Sequence, residues 1–328
     1  MILFRSILSS ALLSALFASG VAFAQYPSKP ITLVVPYSAG GDSDLAGRIL
    51  AQAAQKYLNG NPIVVLNRVG ASGTIGSKYV RDALPDGYTL LVARIGSQAI
   101  TPALDPKTTP YKWNEFTFLS LMEFNPYVCV VKSDAPYRTM PELIDFIRKN
   151  PGKLNFASAG NGTVQHLGPV YLFSLLGLPA ESAVHVPYKG GGEATQALLG
   201  GQVQFVCNNL TTMLSLLKAG SIKALMVTTP TRLKDLPEVP TSRELGWADM
   251  EHITGWSALY GPPGMPKELV ERWVDVMQKL AKDADWLAGN AKIGGIPAVR
   301  SPADTEKFAR EQYELYERLG TATGLRKP

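Results

Sequence analysis

Cysteine and histidine are scarce: the 328 residues hold two of the first and three of the second. There is no CxxC, and His166, His185 and His252 lie far apart, so no metal site is predicted. Runs of one charge are also missing. The formal charge of +5 and pI near 9.0 are spread over the chain without interleaved aromatics, which reads as a solvated surface and excludes a nucleic-acid footprint. Enzyme signatures are absent too. No GxxxxGK[ST] occurs, Gln165 stands where a dinucleotide fingerprint needs its third glycine, and Phe156 stands where a GxSxG elbow needs its first. No catalytic residue and no cofactor is predicted.

Long apolar runs are missing as well. Arg5, the mostly apolar Ile7–Phe17 and Ala22-Phe23-Ala24 have the order of a secretory signal segment, with cleavage expected before Gln25. No stretch approaches the roughly 18 apolar residues of a membrane span. Removing 24 of the 328 residues leaves about 304, a soluble exported chain, and Arg5 leaves with the segment, lowering the formal charge from +5 to +4. Cys129 and Cys207 sit in the strand-like runs NPYVCVV and VQFVCNN. Two buried free thiols are expected, with a disulfide as the minority alternative.

What the sequence does contain is alternation. Ile31–Pro36, Ile63–Leu66 and Thr89–Ala93 are short apolar runs, separated by helical stripes from Asp44 and after Gly73. This β-α-β-α-β start predicts a parallel sheet covered on both faces. A second series starts near Tyr127. It predicts strands at Val128–Val131, Leu154–Ala157, Ala183–Pro187, Val203–Cys207 and Ala224–Thr228, with helices between them. Gly255–Leu259 and three C-terminal helices follow. The expected fold is α/β with two lobes, each a sheet flanked by helices. Residues 25–124 and 255–328 form the first lobe, and 125–254 are inserted as the second. Hinges are expected near Phe124–Tyr127 and Thr254–Ser257, with Gly255 easing rotation. Two lobes around a cleft are the body plan of exported solute-binding proteins.

Three segments join glycines, small hydroxyl residues and a helix start: Pro36–Asp44, Asn67–Gly76 and Ser158–His166. Backbone N–H groups there can approach an anion, aided by the helix dipole. Asp44 reads as a loop brace, since a bare carboxylate would repel an anion. His166 reads as an internal hydrogen-bonding residue.

The segments PSKPITLVVPYSAGGDSDLAGRIL, VVLNRVGASGTIGSKYV, LPDGYTLL, NPGKLNFASAGNGTVQHL, VPYKGGGEATQALLGGQVQF, KAGSIKALMVTT, RLKDLPEVPTSRELG and YGPPGMPKELVERW occur in this order. Together they resemble the periplasmic solute-binding proteins of tripartite tricarboxylate transporters, the Bug family, over nearly the whole mature chain. The resemblance implies a Venus-flytrap receptor that carries one small carboxylated metabolite through the periplasm to a two-component membrane permease. It implies carboxylate contacts from Tyr37, Ser38, Ala39 and Gly40 in one loop and from Ser72, Gly73, Thr74 and Ile75 in the next. Ser158, Gly162, Thr163, His166 and Tyr188 would close over them, and Asn208 stands where many relatives carry Asp. Arg94 stands where relatives more often have a small or apolar residue, and it is expected either to pair with a second carboxylate or to be a solvated loop arginine. The expected ligand is a small organic acid, a dicarboxylate, with aromatic acids such as terephthalate included. A monomer is expected. Alternatives are a sensor presenting its ligand to a membrane kinase and, remotely, an exported hydrolase.

Overall fold

The computed structural model describes residues 26–322 and 324–327; the predicted signal segment lies outside the described residues. Among the described residues, eleven strands form two sheets. The first contains β1 (Ile31–Val35), β2 (Ile63–Asn67), β3 (Thr89–Arg94), β4 (Thr117–Asn125), β10 (Gly255–Gly261) and β11 (Ile296–Pro297), in the order β11-β4-β10-β3-β1-β2. The second contains β5 (Tyr127–Lys132), β6 (Asn155–Ser158), β7 (Val184–Pro187), β8 (Phe205–Asn209) and β9 (Ile222–Val227), in the order β7-β6-β8-β5-β9.

The residue patterns explain the positions. ITLVV of β1 is flanked by parallel β2 and β3 and is buried along nearly its whole length. IVVLN of β2 lies at the edge and alternates between half-buried and exposed residues. The antiparallel pairing of β10 with both β3 and β4 brings the C-terminal part of the chain back into the first sheet. Side chains cap helix starts. Thr139 accepts from the Glu142 N–H at the helix Met140–Lys149, and Ser301 accepts from the Asp304 N–H at the helix Pro302–Ala322.

The chain passes between sheets at Pro126, between β4 and β5, and again between β9 and β10. Gly255 has no left-handed backbone. A Cβ there would lie 2.2 Å from Asn209 Oδ1, so the glycine makes room for a neighbour at the junction.

The cysteine expectation is corrected. Cys129 of β5 lies opposite Cys207 of β8 in the antiparallel ladder, and the two form a disulfide. Strand register decides this, and it is invisible to a reading of two runs separated by 78 positions.

Candidate functional site

Two loops of the first sheet face two loops of the second. After β1, Gly40 takes a left-handed conformation and the helix Asp42–Ala54 begins. Asp44 braces this turn. It accepts from the Gly40 N–H at 3.0 Å, Arg48 Nε at 2.9 Å and Asn67 Nδ2 at 3.0 Å. Burial pushes its carboxyl up, but these hydrogen bonds outweigh it and hold the carboxyl below its ordinary range. After β2, four successive residues, Gly70 to Gly73, have positive φ, including Ala71 and Ser72. Such backbone persists where its surroundings over-determine it. Here the Tyr37 hydroxyl donates to the Ser72 carbonyl at 2.8 Å, and Thr74 Oγ1 donates to the Ala71 carbonyl at 2.9 Å.

In the second sheet, Ser158 Oγ meets His185 Nε2 at 2.6 Å and accepts from the Gly160 N–H. Thr163 Oγ1 donates to the Gly160 carbonyl at 2.7 Å. His166 Nδ1 accepts from the Gly162 N–H at 3.2 Å, and its ring stacks on His185 with centroids 3.9 Å apart. Burial lowers the pKa of His166 to about 4. Burial, reinforced by His166, lowers that of His185 to about 3. Both rings are therefore neutral near pH 7, and His166 acts as an acceptor holding the loop.

The lobes are closed on one another. Ser72 Oγ donates to the Asn161 carbonyl at 2.5 Å across the cleft. Gly190 lies so near the first loop that a Cβ would stand 2.1 Å from Ser38 Oγ, and one at Gly192 would stand 3.2 Å from Gly40 backbone. Between the lobes is a small cavity of about 10 Å³, lined by Tyr37, Asp42, Ser43 and Arg94 on one side and by Ala159, Thr163 and Gln165 on the other. Two helix N-termini reach it, those of Asp42–Ala54 and Val164–Leu175. Neither has a side-chain cap. At the cleft mouth a second pocket of about 390 Å³ is lined by Ser72, Thr74, Asn161, Gly162, His166 and residues near Thr101 and Lys327.

The predicted residues therefore divide. Tyr37, Arg94 and Thr163 reach the inner cavity, and Ser72, Thr74, Gly162 and His166 reach the outer pocket. Ser38 packs on Gly190, while Ala39 and Gly40 are exposed at the loop tip. The Gly40 and Gly73 N–H groups are committed to Asp44 and to the Gly70 carbonyl. Ile75 is half exposed and lies over Gly70. Tyr188 is not brought to the cavity; its hydroxyl donates outward to Gln202. Asn208 is buried behind the site. It accepts from Gln165 Nε2 at 2.9 Å and donates to the Gly191 carbonyl and Thr212, so it positions Gln165.

The expectation of a solvated loop arginine at position 94 is corrected. Arg94 is 3 % exposed, lines the inner cavity and already has partners within the chain. Nη1 donates to Asn125 Oδ1 at 2.7 Å and Ser257 Oγ at 2.5 Å, and Nη2 pairs with Asp42. Asp42, Ser43, Gln165 and Asn209 are the residues the sequence reading misses. Asn209 Nδ2 of β8 donates to Asp42 across the cleft, from 167 positions away. The one local signal is a second acidic residue at the helix start, two positions before Asp44.

A closed α/β pair of lobes with glycine loops and helix N-termini at the junction defines a periplasmic binding protein. The comparisons agree. The sequence profile of the tripartite tricarboxylate transporter family receptors matches residues 46–325. An Agrobacterium vitis protein described as a UPF0065 protein in the TAR-I ttuE-ttuC' intergenic region is 35 % identical over 94 % of this chain and 88 % of its own. The structure of the periplasmic binding protein BugD superposes with a TM-score of 0.86 at 31 % identity, covering 92 % of this chain and all of that one. An R. palustris protein with adipate gives 0.86 at 28 % identity, covering 91 % and 98 %. The chain belongs to the tripartite tricarboxylate transporter receptor family, whose members bind solutes and are not enzymes. Among the described residues no helix is long and apolar enough to cross a membrane.

Proposed function

We propose that this protein captures a small organic acid between its lobes in the periplasm and delivers it to the two-component permease of a tripartite tricarboxylate transporter. One observation carries the reading: two helix N-termini from opposite lobes, neither with a side-chain bond from its N-cap residue, converge on the interlobe cavity. Each carries a partial positive charge, which favours a carboxylate over a neutral group, although Asp42 already answers part of the first one by accepting the Ser43 N–H. A cavity of about 10 Å³ holds little more than a water, so an organic acid enters when the lobes part. The proposed hinges are the crossings at Phe124–Tyr127 and Thr254–Ser257, which separate 25–124 and 255–328 from 125–254. The adipate held by a relative supports the acid class. Arg94, the residue expected to meet a second carboxylate, already pairs with Asp42 within the chain.

The test is a melting-temperature panel of mono- and dicarboxylic acids against their methyl esters, since a ligand of the native state raises its stability. Acids are expected to stabilise and fully esterified forms to have no effect. Equal stabilisation by both would remove the carboxylate from the reading.

A further inference from the structure

On the basis of the organic-acid reading above, we infer that Asp42 restricts the cleft to acids with a single carboxylate, whose far end is a neutral or cationic hydrogen-bond donor. Asp42 is the first residue of the helix Asp42–Ala54, so the protein's own carboxylate already occupies one of the two N-termini at the cavity. That leaves the N-terminus of Val164–Leu175, beside Thr163, for the ligand's carboxylate.

The charges around Asp42 balance without a ligand. Oδ1 accepts from the Ser43 N–H at 2.9 Å, and Oδ2 receives both Arg94 and Asn209. The Asp42 side chain is 6 % exposed and that of Arg94 is 3 % exposed, so water screens the pair little. Glu123 is the third ionisable group of the cluster. Its Oε1 accepts from Ser257 Oγ at 2.9 Å, and burial pushes its carboxyl up, towards the neutral form. One guanidinium thus meets one carboxylate fully and a second one weakly. No positive charge is left over. A second ligand carboxylate would lie beside Asp42 in a poorly screened cavity, where like charges disfavour each other. An amide or ammonium would meet complementary groups. Asp42 itself lines the cavity, and so does Ser43, whose buried Oγ has no partner.

Calorimetry on sets of matched length tests this: succinate, succinamate and 4-aminobutanoate; adipate, adipamate and 6-aminohexanoate; terephthalate and 4-carbamoylbenzoate. In the set that fits the cavity, the amide or amino acid is expected to bind at least tenfold tighter than the dicarboxylate. Asp42→Asn should erase most of that preference, with circular dichroism confirming the fold. A readout without a variant is the pH dependence. Adipate should gain on adipamate as the pH falls from 7 to 5 and its second carboxylate takes up a proton. A dicarboxylate that binds tighter than its monoamide at pH 7 overturns the inference and leaves the organic-acid reading standing. If no acid binds, with one carboxylate or two, that reading falls and the inference with it. If Asp42→Asn folds and keeps the full preference, Asp42 is not the residue that sets it.

Discussion

The Ser72 hydroxyl reaches across the cleft to the carbonyl of Asn161 at 2.5 Å, so a residue with left-handed backbone in one lobe holds the glycine turn of the other. A net hydrogen bond of this kind contributes about 0.5–1.5 kcal/mol. Ser72→Ala should therefore shift the balance towards the open form and weaken ligand binding by about two- to tenfold. The melting temperature without ligand should change little. Titration calorimetry beside thermal denaturation checks this, and unchanged affinity would show that the bond forms no part of the bound state.

Gly190 is extended, at φ −176°, so its backbone accepts any residue. Its constraint comes from the other lobe, since a Cβ would stand 2.1 Å from Ser38 Oγ and 3.1 Å from Ser38 N. Gly190→Val should keep the fold and prevent full closure. The radius of gyration from X-ray scattering is then expected to stay large at ligand concentrations that compact the parent protein. Equal compaction of both would refute this contact as a closure determinant.

The stacked pair His166 and His185 predicts acid sensitivity. Both rings titrate below the ordinary value of 6.5, near 4 and 3, because burial disfavours their charged forms. The unfolded chain therefore binds more protons than the native one below about pH 6.5. Stability is full above that value and falls as the pH drops towards 4 and 3, by up to about 1.4 kcal/mol per unit for each ring. Urea denaturation at pH 7, 6, 5 and 4 should show this slope, and His166→Asn with His185→Gln should flatten it.

The disulfide joins residues 78 positions apart. In the chain-entropy account, closing a loop of that size stabilises by about 4.5 kcal/mol. Cys129→Ala with Cys207→Ala should lower the free energy of unfolding from denaturant titration by a comparable amount. A change within about 0.5 kcal/mol would mean that the crosslink contributes little.

The sequence reveals what is local and periodic. The β1–α–β2–α–β3 start and the glycine loops are visible as runs, stripes and turn residues, and the structure places them where they are expected. What depends on pairing between distant positions is hidden. The strand β4 passes unnoticed because its residues are buried by β10, about 130 positions later. Arg94 reads as open because its partners Asp42, Asn125 and Ser257 come from three separate segments. Tyr188 reads as a site aromatic because its position in the chain does not tell which way its ring faces. The brace role of Asp44 is legible, since its partners Gly40 and Arg48 are four residues away on either side.

Gly160, Gly190 and Gly192 bring the second lobe against the first with nothing beyond their own main chain, while the side chains Asp42, Arg94 and Gln165 line the space enclosed. The outline of the shut molecule and the chemistry of its interior thus rest largely on different residues, with Asp42 belonging to both through its bond from Asn209. A substitution at 165 is expected to alter the interior while the glycine contacts that shut the lobes stay in place.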